Sequence, residues 1–287
     1  MRYLDKKYWK YPVIGLVLAI AVLIAGWNQL PDVGMHTWFL DVGQGDAILI
    51  QTPEGHNVLV DGGPKSNVME LLSDALPFFN REIDLMILTH PHADHLEGLT
   101  EVIKRYKVNA VLLTGVSYNN VYYDEFLRDI DRMINEGSLK FFIARADMDF
   151  KVGSVYFDVV YPTSSLAGRE IGNLNNSSIV MRVSYKDNSG IWRRILLSGD
   201  CEAECEQEIL SEKFDLKSEI YKAGHHGSKT ASTLPYVKAI DPDISVIQCG
   251  EDNKFGHPHS ETLRTFAKLG ITQVLRTDIG GTIEMKF

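Results

Sequence analysis

Residues 83–95 read Ile-Asp-Leu-Met-Ile-Leu-Thr-His-Pro-His-Ala-Asp-His, an apolar run that ends in a dense polar cluster. The run Ile83–Thr89 predicts a buried strand. Pro91 keeps the chain extended at His90, so the polar side chains leave the strand end in close succession. Neutral imidazole is the commonest protein ligand of divalent transition metals, and a carboxylate adds an oxygen donor. The stretch therefore predicts a metal site at a strand end, with four ligands: His90, His92, Asp94 and His95.

Histidines are clustered along this chain, because seven of the nine fall in three short windows. The second window is His225-His226-Gly-Ser228 and the third is His257-Pro-His259, whereas only His36 and His56 lie elsewhere. Only one histidine of the second window needs to bind metal. We favour His225 because it comes first after a predicted strand, which leaves His226 to contact a substrate oxygen or pack beneath the loop.

Asp200 follows a third apolar strand and has two carboxylate oxygens, so it could bridge two ions. The spacing in the first window lets His90 and His92 face one ion and Asp94 and His95 the other. Two ions about 3.5–4 Å apart polarise a substrate oxygen and hold a hydroxide nucleophile. We expect two divalent ions, zinc first because the set lacks cysteine, with manganese or iron as alternatives.

The composition limits what the chain can bind. It has 287 residues, 45% of them hydrophobic, and a formal net charge of −9 at pH 7. Proteins that grip nucleic acid through its phosphates usually carry a basic surface. A nucleic-acid role would therefore have to rest on a local site and a metal. The three cysteines predict free thiols, because Cys201 and Cys205 are four residues apart on a predicted helix, where a disulfide would strain the geometry.

The N-terminal segment is strongly apolar. Tyr11–Pro31 contains no charged residue and, as a helix, spans about 30 Å, enough to cross a bilayer. Basic residues precede it, which predicts a cytoplasmic N-terminus and an extracytoplasmic domain beyond it. We therefore divide the chain into residues 1–34, a cytoplasmic stub, single transmembrane helix and linker, and residues 35–287, one compact domain. A cleaved signal peptide is the alternative, and would make the domain secreted.

The remaining pattern alternates strands and helices in two successive halves. Predicted strands are His36–Asp41, Ala47–Gln51, Asn57–Asp61, Ile83–Thr89, Ala110–Leu113, Val155–Val160, Ser178–Ser184, Arg194–Ser198, Ser218–Lys222, Gln273–Arg276 and Thr282–Lys286. Predicted helices are Asn67–Leu76, Glu97–Lys107, Asp124–Asn135, Glu202–Glu212 and Ser260–Leu269. Ligand candidates always follow strand ends, which indicates an α/β protein with two packed sheets flanked by helices.

These motifs together resemble the metallo-β-lactamase superfamily. The order His90-x-His-x-Asp-His95, Gly199-Asp200 and His225-His-Gly matches its motif order. The added segments Phe39-Leu-Asp-Val-Gly-Gln-Gly-Asp46, Leu59-Val-Asp-Gly-Gly63, Asn176-Ser-Ser-Ile-Val180 and Phe255-Gly-His-Pro-His259 resemble the C-terminal hydrolase domain of the ComEC family of DNA-uptake channel proteins. The resemblance covers about residues 36–287.

The resemblance implies a four-layer αβ/βα sandwich with a binuclear metal site at one edge. It implies that Asp46 and Asp61 support the site and that His257 lies beside the substrate. Asn176 and Ser228 belong to the same supporting or substrate-contacting group. On residue chemistry alone, Asp46 could equally fix its Gly-rich turn, and Asp61 is more typical of a supporting residue than of a direct ligand.

Two departures from the family pattern stand out. Superfamily hydrolases often carry another histidine before the strand that leads to Gly-Asp, and this chain has Gly172–Ser177 there. The first ion would then have three protein ligands: His90, His92 and Asp200. ComEC proteins are also multi-span channels, whereas this chain has one predicted span. We therefore expect a free-standing relative of the hydrolase domain.

The expected function is a membrane-anchored, extracytoplasmic, metal-dependent hydrolase, namely a phosphodiesterase or nuclease that uses a metal-bound hydroxide. The expected catalytic residues are Asp94, His226 and His257, the last as general acid or oxyanion donor. The substrate implied by the resemblance is a DNA strand at a bacterial cell surface. Two alternatives remain: an esterase acting on a cell-wall or lipid phosphodiester such as a phosphorylcholine group, and a catalytically silent interaction partner.

Overall fold

The computed structural model describes residues 10–27, 34–65 and 67–287. After the N-terminal helix α1, Lys10–Trp27, the first half contains β1 His36–Phe39, β2 Ile48–Gln51, β3 Asn57–Val60, α2 Val68–Ala75, β4 Glu82–Ile83, β5 Leu85–Leu88, α3 Ala93–Arg105, β6 Lys107–Val108, β7 Ala110–Leu113, α4 Val121–Asn135 and β8 Lys140–Ile143. The second half contains β9 Met148–Val152, β10 Val155–Tyr161, β11 Val180–Lys186, β12 Trp192–Leu197, α5 Ala203–Glu212, β13 Ile220–Lys222, α6 Leu234–Ile240, β14 Ile244–Ile247, α7 Ser260–Lys268, β15 Gln273–Arg276, α8 Thr277–Gly280 and β16 Ile283–Lys286.

Fourteen of the sixteen strands in the described residues form two seven-stranded mixed sheets, in the orders β16-β1-β2-β3-β5-β7-β8 and β15-β14-β13-β12-β11-β10-β9, and β4 pairs with β6 in a separate two-stranded sheet. A central apolar core lies between the sheets and includes Ile50, Ile87, Phe157 and Val183. Helices α2, α3 and α4 cover the outer face of the first sheet, and α5, α6 and α7 cover that of the second. The predicted four-layer αβ/βα sandwich is therefore confirmed.

Helix α1 exposes apolar side chains on every side. All of the side chains described in it, residues 11–22, are exposed to solvent. Judged on length and hydropathy together, none of the helices in the described ranges qualifies as a membrane span. Residues 28–31 of the predicted span, and the predicted cytoplasmic stub 1–9, lie outside the described residues.

The parallel strands bring the polar loops to one edge of the sandwich. β3, β5 and β7 run parallel in the first sheet, and β12, β13 and β14 do so in the second. The loops after β5, β12 and β13 carry the predicted ligands, so they meet at the same edge. The backbone N–H of Ile179 donates to the Thr89 carbonyl at 3.0 Å, which joins the two sheets directly beside the first histidine window.

Helix α3 begins earlier than the sequence indicated. We predicted helix from Glu97, whereas the structure starts it at Ala93, so that Asp94 and His95 lie in its first turn. The helix backbone packs against the loop after β3. A Cβ atom at Gly98 would collide with the carbonyl oxygen of Gly62, and only glycine permits that approach. The close packing sets His95 directly against the Asp61 loop.

The prediction that Cys201 and Cys205 are free thiols is wrong, because they form a disulfide. The argument placed both residues inside one helix. In the structure α5 begins at Ala203, and Cys201 lies in the non-helical segment before it. The two Cα atoms are 5.6 Å apart, within the usual range for a disulfide. Cys249 is a buried free cysteine.

Candidate metal centre

The first histidine pair lies directly after β5. His90 Nε2 is 3.0 Å from His92 Nδ1, so two ring nitrogens converge on one point. The other nitrogen of His90 faces hydroxyl groups, with Thr89 Oγ1 at 3.2 Å and Ser178 Oγ at 3.4 Å. His90 is completely buried, and burial together with the neighbouring His95 lowers its pKa well below the ordinary value. Burial also lowers the pKa of His92. Both rings are therefore neutral, the form that binds a metal.

A second group of donors converges beside the first. His226 Nε2 lies 3.3 Å from Asp94 Oδ2 and 3.3 Å from Asp200 Oδ2. His95 Nε2 is also 3.3 Å from Asp200 Oδ2. Four side chains from three separate loops thus present donor atoms to one small volume.

Asp200 lies between the two groups. Its Oδ2 atom contacts the second group at 3.3 Å and is 3.9 Å from His90 Nε2 in the first. The backbone N–H of Asp200 donates to Ser178 Oγ at 3.0 Å, which fixes the position of the residue after β12. This location is the one that a carboxylate bridging two ions would take.

Two further carboxylates contact the Nδ1 atoms of His95 and His226, on the side of each ring that faces away from the centre. Asp61 Oδ2 is 2.8 Å from His95 Nδ1, and Asp61 also accepts the backbone N–H and the hydroxyl of Thr89 at 2.8 and 2.7 Å. Asp46 Oδ1 is 3.1 Å from His226 Nδ1, and the same nitrogen donates to the Gln248 carbonyl oxygen at 3.1 Å. Since the two nitrogens of an imidazole point in different directions, these contacts turn both Nε2 atoms toward the centre.

The centre contains the unsatisfied atoms that a bound cation would explain. Among the described residues, His95 Nε2, His226 Nε2 and Asp200 Oδ1 are buried without a hydrogen-bond partner. Buried polar groups are almost always paired, so three unpaired atoms on the side chains of one cluster call for a missing partner. Donor atoms of His95, Asp200, His226 and Asp46 lie within 4.8 Å of one another. The nitrogen and carboxylate donors fit a divalent transition metal ion.

Asp46 supports a candidate metal ligand, although its carboxylate lies close enough to the other donor atoms to be a ligand itself. Its Oδ2 atom is 2.7 Å from Lys222 Nζ, and both side chains are buried. Burial opposes ionisation of Asp46, but Lys222 and His226 together hold its pKa below the ordinary value. Asp46 therefore carries a charge that is already paired, and its task is to orient His226.

Neighbouring charges raise the pKa of the other two histidines of the centre, in contrast to His90 and His92. Burial alone would lower the pKa of His95 and of His226, but adjacent carboxylates raise both well above the ordinary value. Asp200 contributes most in each case, followed by Asp61 for His95 and Asp46 for His226. The Asp200 pKa is well below its usual range, despite burial, because of His226 and His95. A cluster this rich in negative charge attracts a cation.

The structure gives His226, and not His225, the central position. Both residues have left-handed backbone angles, φ 53° and 47°, so the chain turns sharply between them. His226 is 1% exposed, whereas His225 lies at the rim, with Nε2 3.9 Å from Asp200 Oδ2. Glu202 Oε1 holds His225 Nδ1 at 2.8 Å. The preference for His225 based on chain order therefore does not match the geometry.

The other predicted residues are distributed around the centre. The His257 ring lies 5.5 Å from that of His225 and 6.1 Å from that of His226. Ser228 Oγ is 2.9 Å from Thr230 Oγ1, which in turn donates to Glu202. Asn176 is directed elsewhere, because its side chain bonds Glu204 and the Glu202 N–H at the start of α5. It is not brought together with the metal ligands.

Sequence analysis missed three residues of the site: Lys222, Glu202 and Asn175. Lys222 carried a signal, since a lysine at the end of an apolar strand is rarely buried without a charged partner. Glu202 carried no such signal, because a carboxylate at the start of a predicted helix is ordinarily solvated. In the structure it accepts from Thr230 and Asn175 and contacts His225, and the His225 contact, with the other hydrogen bonds, lowers its pKa to about 2.

An open groove leads away from the centre. It has a volume of about 860 Å³, and Gln44, Lys65, Asp94, Lys254 and Phe255 are among its lining residues. Asp94 belongs to both the groove and the donor cluster, so a molecule in the groove would reach the centre. The Phe255 side chain is 52% exposed, and its ring stacks against His257 with centroids 5.7 Å apart.

An αβ/βα sandwich with a histidine–carboxylate cluster at one edge is an arrangement that metal-dependent hydrolases use. Residues 40–251 match the metallo-β-lactamase superfamily, and the chain belongs to that family. It is 28% identical over 266 residues to ComE operon protein 3 of Bacillus subtilis, covering 86% of this chain and 32% of the relative. It is 28% identical to Recombination protein 2 of Haemophilus influenzae, covering 95% of this chain and 31% of that protein.

The chain thus spans about a third of the length of the curated relatives it matches. Among solved structures, the metallo-β-lactamase fold protein YhfI of Bacillus subtilis aligns with a TM-score of 0.56 at 12% identity, over 88% of this chain and all of that one. That similarity concerns the fold. The resemblance to competence proteins is confirmed, since Competence protein ComA of Neisseria gonorrhoeae is also similar, at 24% identity over 94% of this chain and 36% of that protein. The protein is a metal-dependent hydrolase of the superfamily that is related to these proteins.

Proposed function

We propose that this protein is a phosphodiesterase that cleaves a DNA strand. The observation that carries the proposal is the position of Asp200 between two groups of donors, one containing His90 and His92 and the other His95 and His226. A site for two ions is the arrangement used in phosphoryl transfer, where the attacking and leaving oxygens both require stabilisation.

The side chains around the centre would fix the metal ligands and leave one side of the site open. Bound divalent ions would activate water near neutral pH and stabilise charge on the phosphoryl oxygens. Asp61 and Asp46 fix the rings of His95 and His226, so the donors do not have to reorganise during the reaction. The site opens on one side, toward the groove that Asp94 lines.

His257 acts in the proposal as a neutral hydrogen-bond donor to the substrate. Burial and the nearby His226 lower its pKa to about 4, so the ring is uncharged at pH 7. The side-chain amide nitrogen of Gln44 lies 3.3 Å from His257 Nδ1 and can only donate there. The ring proton then resides on Nε2. Between the two roles expected for His257, this favours an oxyanion donor over a general acid.

The groove supports a nucleic-acid substrate in spite of the acidic composition. Lys65 and Lys254 provide positive charge beside the centre, and exposed Phe255, which stacks on His257 and has Lys254 Nζ 5.1 Å from its ring centroid, adds an aromatic contact surface. The names of the relatives add support, because one is a ComE operon protein and another is a recombination protein. We therefore rank a DNA strand above other phosphodiesters.

A second substrate is favoured by one feature of the same groove. Glu70 also lines it, so an anionic and an aromatic side chain are both available to a cationic headgroup. A phosphorylcholine-like diester of the cell wall or a lipid is therefore the second candidate. A catalytically silent role is less well supported, since a protein without a metal-dependent activity would have no need to keep these buried, unpaired donor atoms of the centre.

We propose an extracytoplasmic location, attached to the membrane through the N-terminal segment. Disulfides persist mainly in oxidising compartments, so the Cys201–Cys205 disulfide supports a location outside the cytoplasm. The apolar side chains of α1 are exposed on all faces, and basic residues precede them in the sequence. Fractionation of cells, followed by protease treatment of intact spheroplasts, tests this: a protease-resistant, cytosolic protein would contradict it.

The activity is tested with the purified protein loaded with Zn²⁺ or Mn²⁺. Single-stranded DNA and bis-p-nitrophenyl phosphate are the two substrates, with His92→Ala and Asp200→Asn as inactive variants. His56→Ala is the matched control, because His56 pairs with Asp84 outside the centre. Cleavage of DNA that both variants lose supports the nuclease. Cleavage of only the small diester moves the substrate toward the second candidate, and no cleavage of either by the ion-loaded protein overturns the phosphodiesterase.

A further inference from the structure

A cavity lies between the two sheets, at the end of the sandwich opposite the metal centre. It has a volume of about 390 Å³, which is within the usual range of small-molecule sites. Asp84 lines the cavity and directly precedes β5, whereas His90 follows the other end of that strand. The whole length of β5 therefore separates the cavity from the metal centre.

The walls of the cavity are apolar and come from both sheets. Leu85 and Leu112 contribute the core-facing sides of β5 and β7, and Met148, Phe150 and Val152 contribute that of β9. Along β9 these three side chains are half-buried and alternate with exposed ones. Ordered water needs polar partners, which these walls do not provide. The walls therefore favour a hydrocarbon group.

Strand β8 forms the open side of the cavity. It is the edge strand of the first sheet, and Lys140 and Phe142 on it line the cavity. The two residues pair in register with Ala110 and Leu112 of β7, so their side chains face the second sheet. Phe142 is 41% exposed in this position. An apolar ring and a cationic group thus stand together at the entrance.

The entrance carries an excess of positive charge. Among the described residues, Lys140 takes part in no ion pair. The carboxylate of Asp84 is already paired, because Oδ1 is 3.1 Å from His56 Nδ1 and Oδ2 accepts the Asn57 N–H at 2.9 Å. A second lysine, Lys151, also belongs to the lining. The charge at the entrance is therefore complementary to an anion.

We propose that this cavity binds a single-chain amphiphile with an anionic head group. The hydrocarbon chain lies between the sheets, and the head group pairs with Lys140. Helix α1 supports this choice of ligand, because its apolar side chains, exposed on every face, suit a lipid surface, where such molecules occur. A fatty acid and a lysophospholipid share this chemistry. Since the cavity lies apart from the metal centre, the inference does not depend on the proposed function.

The experiment is photolabelling of the full chain in nanodiscs of zwitterionic lipid. The probe is dodecanoate with a diazirine near its methyl end, and mass spectrometry identifies the labelled peptides. The label should map to residues 110–112 or 148–152, which line the cavity. Unlabelled dodecanoate should compete for this labelling. Dodecylamine has the same chain and a cationic head group, so it should compete poorly.

Two variants test the head-group contact and the cavity separately. Lys140→Glu reverses the charge at the entrance and should lower the labelling of the cavity by about fivefold, as expected for a partly exposed ion pair. Lys238→Glu, on the exposed face of α6, is the matched control. Ala110→Leu fills the cavity and should abolish its labelling. Circular dichroism shows whether each variant is folded.

The outcomes either support or overturn the site. Labelling confined to α1, or labelling of the cavity that folded Ala110→Leu retains, would overturn it. Equal competition by dodecylamine and dodecanoate, with no effect of Lys140→Glu, would overturn the anionic head group. Dodecanoyl lysophosphatidylglycerol distinguishes the two sources: stronger competition than dodecanoate identifies a lysophospholipid, and weaker competition identifies a fatty acid. Both of these results support the site.

Discussion

Lys222 Nζ lies 2.7 Å from Asp46 Oδ2, and neither side chain has access to solvent. Asp46 in turn contacts His226 Nδ1 at 3.1 Å. The buried Lys222 thus fixes the carboxylate of Asp46, whose other oxygen contacts the candidate metal ligand His226. The pair connects the middle of the second sheet to the Gly-rich loop after β1, two parts of the chain that are 176 positions apart.

We expect Lys222→Met to destabilise the protein strongly. Removing one partner of a buried ion pair leaves an uncompensated charge and costs about 3–5 kcal/mol. Urea unfolding measures the free energy of unfolding, with Lys238→Met on the exposed face of α6 as the control. The double variant Lys222→Met/Asp46→Asn should recover part of the loss, because it removes both charges. Equal effects of the single and double variants would contradict the pairing.

We expect His226→Ala to bind one ion fewer than the wild type and His225→Ala to keep the wild-type number. His226 Nε2 contacts both Asp94 and Asp200 at 3.3 Å, whereas His225 is held by Glu202 at the rim. Elemental analysis of dialysed protein counts the ions. The reverse result, with an ion lost only from His225→Ala, would restore the assignment that chain order favoured.

Glu206 should make stability depend on pH. It is 1% exposed, and burial raises its pKa from 4.5 to about 7 in spite of hydrogen bonds from Ser232 and Thr233. A raised carboxyl pKa stabilises the fold fully below pH 4.5, and this contribution is lost as the pH rises to about 7. At roughly 1.4 kcal/mol for each pKa unit, the loss is about 3 kcal/mol.

The test is urea unfolding of the wild type and Glu206→Gln between pH 5 and pH 8. The amide cannot ionise, so the wild type should lose stability relative to Glu206→Gln as the pH rises. Glu212→Gln, at the exposed end of the same helix, is the assay control. A difference that stays constant across this range would show that Glu206 does not titrate within it.

The disulfide predicts a specific count of reactive thiols. Protein unfolded without reductant should show one thiol, Cys249, and three after reduction. The double variant Cys201→Ser/Cys205→Ser should be less stable by about 2 kcal/mol, because the cysteines are only 4 positions apart and the closed loop is short. Three thiols in unreduced protein prepared from an oxidising compartment would contradict the bond.

Local sequence predicted the layers of the fold and the first ligand group well. Apolar runs such as Leu85–Leu88 are strands because they are buried on both faces, and the polar residues after them necessarily lie at the sheet edge. Prediction failed where the pattern was weak. β8 was not predicted, because its apolar run is only three residues long, Phe141 to Ile143, and does not alternate with polar residues; three of its four side chains are exposed.

Residue type and short spacing are enough to predict a two-sheet sandwich with a histidine–aspartate cluster after β5. Tertiary structure decided which histidine of the second window enters the centre, because the left-handed backbone at His225 and His226 turns one ring inward and the other to the rim. It also decided the partners of Asp46 and Asn175. Those contacts join residues 27 to 180 positions apart, and only the packing of the two sheets brings their loops to one edge.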